Sequence, residues 1–250
     1  MISEKNSEYM KEGEFLMNIL ITNDDGIDNV RIAKLAEIAS QMGDVYVVAP
    51  DCQKSAVSHA LTIRRHLTLK KVDFPVPVTA AYSLSGTPCD CVKTAISCQL
   101  ADHFDLILSG INEGPNMGAD TLYSGTVAAA LEGAYWGIPS FAISMIGEDF
   151  TAIDAYLYDI IMEYKEKAVN PRGIWNINFP DSAVHVVKGG KETIPDTISA
   201  VQEDYKMISL EENVWDIEPA IQMTKKFAQG SDFEAVHSGY ISIEQLHLMV

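Results

Sequence analysis

The stretch ILITNDDGIDN, residues 19–29, decides the fold and poses the main chemical question. Four apolar or β-branched residues lead directly into Asn23, Asp24, Asp25 and Gly26. Such an apolar run is typical of a strand that is buried on both faces. Adjacent carboxylates repel each other, so their position at the end of a buried strand needs a physical reason.

Two interpretations of the acidic pair are open from spacing alone. A divalent cation would stabilise both carboxylates, and Gly26 permits the turn that lets neighbouring side chains reach one ion. In a regular strand, Asp24 and Asp25 would instead point to opposite faces. Alternatively, the two residues are a cap and a turn residue for the helix that follows.

Strand and helix patterns alternate from Ile19 to about Pro180. The predicted strands are residues 19–22, 45–49, 106–108, 140–144 and 174–178, and the predicted helices are 29–42, 88–100, 126–135 and 152–167. Gly43 is a plausible stop for the first helix, and Thr87 and Asp90 form a predicted capping box. This order predicts a Rossmann-like α/β fold, in which helices cover both faces of a parallel sheet in three layers.

Two segments depart from this alternation. Residues 61–74 partly alternate and residues 76–82 are extended around prolines, which predicts β-hairpin excursions with one wet face. Residues 240–243 have strand character after a region without regular patterning. We expect this C-terminal segment to pack on a partner subunit and to serve in oligomerisation.

The length and net charge of the chain disfavour several classes of binding partner. The 250 residues carry a formal net charge of −17, which disfavours nucleic-acid polymers and anionic membrane surfaces. A small phosphorylated substrate stays compatible, because a bound metal reverses the local field. No run approaches the roughly 18 apolar residues of a membrane span, and the N-terminus lacks a secretory pattern. We therefore predict a cytoplasmic protein.

The N-terminal residues 1–16 are predicted to be an extension, either a disordered arm or an artefact of the start codon. Residues 17–250 then form one domain. The four cysteines, Cys52, Cys89, Cys91 and Cys98, lack the spacing of a zinc site, and we expect reduced thiols.

Oxygen donors and glycines collect after the predicted strands, where ligands bind in such sheets. They lie in residues 23–26, 51–59, 109–120 and 123–126. No cysteine or histidine pair there has ligand spacing, so Mg²⁺, Mn²⁺ or Ca²⁺ suits these loops better than zinc.

Other groups in these loops have two interpretations each. Ser124, Gly125 and Thr126 open an alanine-rich helix and are either a phosphate site or an ordinary N-cap. The segment GPNMG, residues 114–118, is either a close backbone approach to a ligand or a surface turn. His59 could reach the site, but a structural role is the simpler expectation.

Five motifs in order resemble SurE, the survival-protein-E family of nucleotidases. They are NILITNDDGID (18–28), VVAPDCQKSAVSHALT (47–62), YSLSGTPCDCVKTAI (82–96), LILSGINEGPNMGADTLYSGTVAAALEGA (106–134) and GIPSFAIS (137–144). The similarity returns weakly at WNINFP (175–180) and FEAVHSGYISI (233–243). Residues before Met17 have no counterpart in the family.

The resemblance implies a metal-dependent enzyme that hydrolyses nucleoside 5′-monophosphates, and in some members 3′-monophosphates, to nucleoside and phosphate. It implies one divalent cation per subunit, Mg²⁺ or Mn²⁺, and a homodimer or homotetramer. Transferred to matching positions, the metal ligands are Asp24, Asp25, Ser55 and Asn112, and the two aspartates are the catalytic carboxylates. The implied phosphate or substrate contacts are Asn23, Asn116, Ser124, Gly125 and Thr126.

Two other classes of protein share features with this sequence. A regulatory protein could keep the nucleotide pocket without turnover, and release of phosphate from AMP with Mn²⁺ distinguishes it from an enzyme. A dinucleotide-dependent oxidoreductase would use a similar sheet. Its first strand would be followed by Gly-x-Gly-x-x-Gly, however, whereas NDDGID places two acids where a pyrophosphate would lie.

Overall fold

The first strand, β1 (Met17–Thr22), lies near the middle of a nine-stranded sheet in the computed structural model. The structure describes residues 16–167, 173–199, 201–223 and 226–247, with side chains omitted at 201–204 and 219–223. The predicted N-terminal extension lies almost wholly outside these residues. None of the helices in the described ranges has the length and apolar character needed to cross a membrane.

The remaining strands are β2 (Gly43–Pro50), β3 (Leu69–Lys71), β4 (Ala80–Leu84), β5 (Leu106–Glu113), β6 (Ser140–Met145), β7 (Gly173–Phe179), β8 (Gly190–Thr193), β9 (Val201–Glu211), β10 (Val214–Met223) and β11 (Ile241–His247). The helices are α1 (Val30–Ala39), α2 (Pro88–Ser97), α3 (Gly125–Tyr135), α4 (Thr151–Tyr164) and α5 (Asp232–His237).

The core has two sides because side chains of β1 alternate across the sheet. Ile19 and Ile21 are buried in the cluster formed with α1 and α4. Leu20 is buried in the cluster on the opposite face, with α2 and with Ala129 of α3. Both faces of β1 are therefore covered, which explains its uninterrupted apolar sequence and confirms the three-layer α/β fold.

The order of the strands places a switch point beside β1. The strand order in the sheet is β3-β4-β2-β1-β5-β6-β7-β11-β8. Within this order, the strands β4, β2, β1, β5, β6 and β7 are parallel to one another. After β1 the chain builds β2 and β4 on one side, and then β5, β6 and β7 on the other. The carboxyl ends of β1 and β5 thus flank the crevice where open α/β sheets bind ligands.

Helix starts follow the sequence signals more closely than helix ends. The predicted capping box is confirmed: Thr87 Oγ1 accepts from Asp90 N at 3.1 Å, and Thr87 N donates to Asp90 Oδ2 at 3.0 Å. The predicted end of α1 at residue 42 is wrong, because Ser40 caps the helix. Gly43 begins β2 instead, where an added Cβ would lie 2.0 Å from Met17 O.

The predicted hairpin excursion is confirmed in part, since β3 lies within residues 61–74 and pairs with β4, which begins within residues 76–82. Only Leu69–Lys71 of the first predicted segment is a strand, and it pairs antiparallel with β4. A second hairpin, β9 paired with β10, forms a separate two-stranded sheet. Exposed Met207 and Ile208 are consecutive in β9 and so lie on opposite faces, which removes the alternating pattern on which strand prediction depends.

The strand predicted at residues 240–243 is confirmed as the start of β11, and its packing on a partner subunit stays a prediction. β11 pairs antiparallel with β7 and parallel with β8 of its own chain. A strand between two others buries both of its edges, so it gains more hydrogen bonds inside the sheet than at the surface. The four cysteines are free thiols, as predicted, and Cys89 and Cys91 are buried.

A bulge in β5 shapes the switch point and gives a stability prediction. Gly110 has a φ of +142°, and an added Cβ would lie 2.3 Å from Ile143 O. We expect Gly110→Ala to lower the free energy of unfolding by roughly 2 kcal/mol or more, through overpacking and strain. Urea unfolding measures this change.

Gly137→Ala is the matched control for that substitution. Gly137 also has a positive φ, +79°, but an added Cβ would meet nothing within 4 Å. This control should lose only the cost of the backbone conformation, about 1 kcal/mol. Equal losses in the two variants would show that crowding against β6 does not restrict Gly110.

Candidate metal and phosphate site

The acidic pair lies at the carboxyl end of β1, beside the end of β5. Asp24 is only 5% exposed, and Asp25 is half-buried. The backbone N–H of Glu113, the last residue of β5, donates to Asp25 Oδ2 at 3.4 Å. The structure therefore brings the first and third predicted loops together.

The turn after β1 is closed by Asn23. Its Nδ2 donates to Gly26 O at 2.9 Å, and its Oδ1 accepts from Gly26 N at 3.1 Å. The side chain is fully buried, so its observed role is to hold this turn, and the substrate contact of Asn23 stays a prediction. The capping interpretation of the aspartates is wrong, because Asn29 caps α1 by accepting from Arg31 N at 2.8 Å.

The start of α3 holds Asp24 in place. Thr126 Oγ1 donates to Asp24 Oδ1 at 2.7 Å, and the Thr126 backbone N–H adds a second bond to this carboxylate. Gly125 permits this approach, since an added Cβ would lie 3.0 Å from Asp24 Cβ. Burial raises the pKa of Asp24 to about 6; the Thr126 hydroxyl lowers it and the Asp25 charge raises it.

This contact changes the interpretation of the Ser124-Gly125-Thr126 motif. A threonine hydroxyl has one proton, and in this structure Thr126 donates it to Asp24. The phosphate contact of Thr126 stays a prediction. Ser124 caps α3 by accepting from Val127 N at 3.1 Å, which leaves its hydroxyl proton for another acceptor. The N-terminus of α3 therefore binds the Asp24 carboxylate in this structure.

The loop after β2 folds over the acidic pair. Lys54 N donates to Asp24 O at 2.6 Å, which places the exposed Ser55 next to the turn. Ser58 is tied to the segment before α3 through Tyr123 O. His59 Nε2 lies 2.9 Å from Glu132 Oε2 on α3, which confirms the expected structural role of this histidine.

The donor set fits a hard divalent cation. Asn112 turns its Nδ2 toward the carbonyls of Glu113 and Gly114, at 3.2 and 2.8 Å, so its Oδ1 points away from them. Within the described ranges, no three His, Cys, Asp or Glu residues group as a metal cluster. A cation here would rely on carboxylate, amide and hydroxyl oxygens together, which suits Mg²⁺ or Mn²⁺.

Buried amides hold the segment after Asn112. Asn116 N donates to Asn178 Oδ1 at 2.8 Å, and Asn116 Nδ2 donates to Ser144 Oγ at 2.8 Å. Asn176 Nδ2 and Asn178 Nδ2 both donate to Asn116 O. One Nδ2 proton of Asn116 stays free of these bonds, so a phosphate contact by Asn116 is compatible with the geometry.

A cavity of about 390 Å³ lies next to Asp25. It is lined by Asn29, Val30, Arg31, Glu113, Glu148 and Phe150. Arg31 is 6% exposed; its Nη2 donates to Gly147 O at 3.0 Å, and its guanidinium lies 5.9 Å from the Phe150 ring centre. Burial raises the pKa of Asp25, an effect that the Glu113 N–H and the Arg31 charge oppose.

Sequence reasoning missed three of these contributors. Arg31 lies within an amphipathic helix, where a solvated side chain is the default expectation. Asn176 and Asn178 alternate in an otherwise apolar strand, and this spacing places both amides on one buried face. The alternation of Asn176 and Asn178 in the sequence is the signal from which their contacts with Asn116 could have been predicted.

Fold and site together define a class: Rossmann-like α/β proteins whose first strand ends in an acidic, oxygen-donor pocket. Proteins that bind dinucleotides at this switch point have a glycine-rich turn instead, and this chain lacks it.

Comparison with known proteins agrees with this class. The family model for Survival protein SurE matches residues 19–201. The chain is 39% identical over 238 residues to 5′-nucleotidase SurE of Thermoanaerobacter pseudethanolicus, covering 92% of each protein. It is 35% identical over 244 residues to 5′-nucleotidase SurE of Clostridium botulinum, covering 92% of this chain and 93% of the relative. The chain belongs to the SurE family.

A solved structure extends the likeness to the fold. The crystal structure of SurE protein from Aquifex aeolicus superimposes with a TM-score of 0.79 at 35% identity. The alignment covers 93% of this chain and 94% of that one. The likeness therefore includes the sheet that positions the site.

Proposed function

We propose that this protein is a 5′-nucleotidase that hydrolyses nucleoside monophosphates to nucleoside and phosphate. The observation that carries the proposal is the buried Asp24, held by Thr126 beside Asp25 at the switch point of the sheet. Two neighbouring carboxylates in this position need a cation, and a cation attracts a phosphate ester to an acidic protein. The names of the relatives agree with this chemistry.

Asp24, Asp25, Ser55 and Asn112 would hold one divalent cation, Mg²⁺ or Mn²⁺. When bound, such an ion polarises phosphate oxygens and makes water more acidic. The start of α3 lies against Asp24 through Thr126, and the Ser124 hydroxyl and the Gly125 N–H would donate hydrogen bonds to the phosphate oxygens. Asn116 supplies a further N–H through its free Nδ2 proton.

The reaction breaks the bond between phosphorus and the ester oxygen. A water oxygen bonds to phosphorus, and a carboxylate of the acidic pair accepts its proton. Asp24 is the better acceptor, because burial favours its protonated form. The nucleoside leaves with a proton from solvent.

The cavity beside Asp25 is the place for the nucleoside. Val30 is 69% exposed there, although its side chain is apolar, and Phe150 adds an aromatic face. An aromatic ring next to a buried guanidinium suits a planar base. A base stacked on Phe150 would leave the phosphate on the side of Asp25.

We expect Phe150→Ala to raise KM for AMP about tenfold, because base–aromatic stacking contributes about 1–3 kcal/mol. Glycerol 2-phosphate, which has no base, should keep its KM. Steady-state kinetics with both substrates measures the difference, and Tyr158→Ala on the neighbouring helix is a control. A parallel rise in KM for both substrates would place the base elsewhere.

Phosphate release from a panel of nucleoside 5′- and 3′-monophosphates, with Mg²⁺ and Mn²⁺, tests the activity itself. Turnover of 5′-monophosphates supports the proposal. Tight AMP binding without phosphate release would instead indicate a regulatory protein that has lost turnover.

Assembly and location are part of the same proposal. We propose a cytoplasmic homodimer or homotetramer, supported by the exposed apolar side chains of the second hairpin, such as Met207, Leu210 and Trp215. Sedimentation that finds a monomer at micromolar concentration would contradict the assembly.

A further inference from the structure

A pair of carboxyl groups is buried behind the Asn116 segment, away from the metal site. Glu244 on β11 and Asp232 at the start of α5 are both fully buried. Their side chains are within hydrogen-bonding contact of each other. Two ionised carboxylates in such a position would repel strongly, and burial would add the cost of two desolvated charges.

The surroundings decide which member of the pair carries the charge. Asp232 accepts three backbone N–H bonds: from Gly118 at 2.6 Å to Oδ2, and from Asp196 at 3.0 Å and Phe233 at 2.8 Å to Oδ1. Such bonds favour the ionised form of a carboxylate. Glu244 Oε1 accepts only from Asn176 Nδ2, at 2.6 Å, and Glu244 Oε2 has no partner unless it carries a proton.

Both members of the pair reach the segment that contains Asn116. Asp232 holds Gly118 directly. Glu244 holds Asn176, whose Nδ2 also donates to Asn116 O at 2.8 Å. The carboxyl pair therefore holds both ends of residues 116–118.

We infer that Glu244 is a positioning residue for the phosphate-binding segment and that it acts as a neutral acid, donating a hydrogen bond from Oε2 to ionised Asp232. The inference rests on the proposed function for the role of Asn116. It assigns to β11, which lies far from Asp24 in sequence, a part in binding phosphate.

Among the described residues, no cation pairs with Glu244 from the elements that pack against it; Lys191 Nζ on β8 lies 3.8 Å from Glu234 Oε2 instead. The group of α5 that contacts Glu244 is Asp232, which in turn accepts a hydrogen bond from Asp196 N. The group of β7 that contacts Glu244 is the neutral Asn176. The β8 residue in register with Glu244 is Thr193. On α5, His237 is directed to Phe233 O, and Glu234 accepts from Gly230 N. Burial, and then the Asp232 charge, raise the pKa of Glu244 to about 8.

The test compares Glu244→Gln with the unchanged protein as pH rises. Glutamine reproduces the pattern of the neutral acid, since its amide donates to Asp232 and its oxygen accepts from Asn176. The raised pKa means that the folded protein holds the Glu244 proton more tightly than the unfolded chain. Its stabilising effect is therefore complete below about pH 4.5 and is lost progressively as pH rises to about 8.

Two results are expected. At about pH 5 the variant and the unchanged protein should unfold at similar temperatures, whereas near pH 8 the variant should be the more stable of the two. The affinity for inorganic phosphate, measured by titration calorimetry with Mn²⁺ present, should be equal at about pH 6 and should fall only in the unchanged protein above about pH 8. The fall should approach tenfold per pH unit.

Glu192→Gln is the matched control, because it removes the same charge from the neighbouring strand β8. Glu192 is exposed and bound to Lys167, so this variant should follow the unchanged protein in phosphate affinity. If the Glu244→Gln variant were less stable than the unchanged protein near pH 8, the assignment of Glu244 as a neutral acid would be wrong. Identical phosphate affinities across the pH range would overturn the positioning role.

Both readouts separate this inference from the proposed function. Unfolding and phosphate affinity are measurable whether or not the protein hydrolyses AMP. Absence of AMP hydrolysis with the expected unfolding difference would refute the activity while leaving the carboxyl pair in place.

Discussion

Asp25→Asn is expected to lower kcat for AMP with Mn²⁺ by roughly 10²–10³-fold, the range for losing one group that stabilises charge at a reacting centre. The substitution keeps the shape of the side chain but removes a negative charge that would hold the cation. Asp25 is half-buried, and its hydrogen bonds are a long one from Glu113 N, at 3.4 Å, and one with the Gln53 side chain. Loss of the Asp25 charge should therefore leave the fold intact.

Phosphate release and Mn²⁺ binding by calorimetry measure this effect, and thermal unfolding without metal checks the fold. Asp28→Asn is the matched control, because Asp28 is an exposed aspartate three residues along the same turn. It should retain turnover and metal affinity. Near-normal kcat in Asp25→Asn would remove Asp25 from the site.

Thr126→Val is expected to lower metal affinity or kcat/KM by about 10–100-fold, although Thr126 is not among the proposed metal ligands. Valine has the same shape but cannot donate to Asp24 Oδ1, which Thr126 reaches at 2.7 Å in a fully buried position. Without this bond the Asp24 carboxylate loses its orientation and its charged form is less favoured.

Thr126→Ser separates the hydroxyl from the packing of the methyl group. It keeps the donor, so most of the activity should return, while stability falls slightly through the lost methyl. The comparison uses kcat/KM for AMP together with Mn²⁺ affinity. Equal activities in the valine and serine variants would show that the bond to Asp24 does not matter.

The sheet could be predicted from the sequence because its signals are local. The apolar run of β1 and the capping box at Thr87 act within a few residues, and both are confirmed. The end of α1 could not be predicted in the same way. Gly43 resembles a helix stop, but close packing against Met17 O determines its place in β2.

β11 and the second hairpin depend on contacts across long distances in the chain. β11 pairs with strands whose sequences begin more than 50 residues earlier, and its own residues do not show which edge it will join. The residues of β9 and β10 form a sheet separate from the core. Strand prediction depends on the alternation of buried and exposed side chains, and this alternation is missing there.

The loops of the candidate site could be predicted because strand ends converge in a parallel sheet. The individual roles could not, because a short polar side chain can serve a ligand, a backbone turn or another side chain equally well. Asn23 closes a turn and Thr126 serves Asp24, and these partners are decided by orientations that appear only in the folded chain.

The place of β11 between β7 and β8 has a consequence for synthesis. On the ribosome both neighbours are made first, and the slot between them stays empty until residues 241–247 leave the exit tunnel. A nascent chain arrested before that point would present the bare edge of β7 to other polypeptides, which is a hazard for intermolecular pairing. Chaperone capture should thus be strongest late in translation and should end abruptly when the slot is filled.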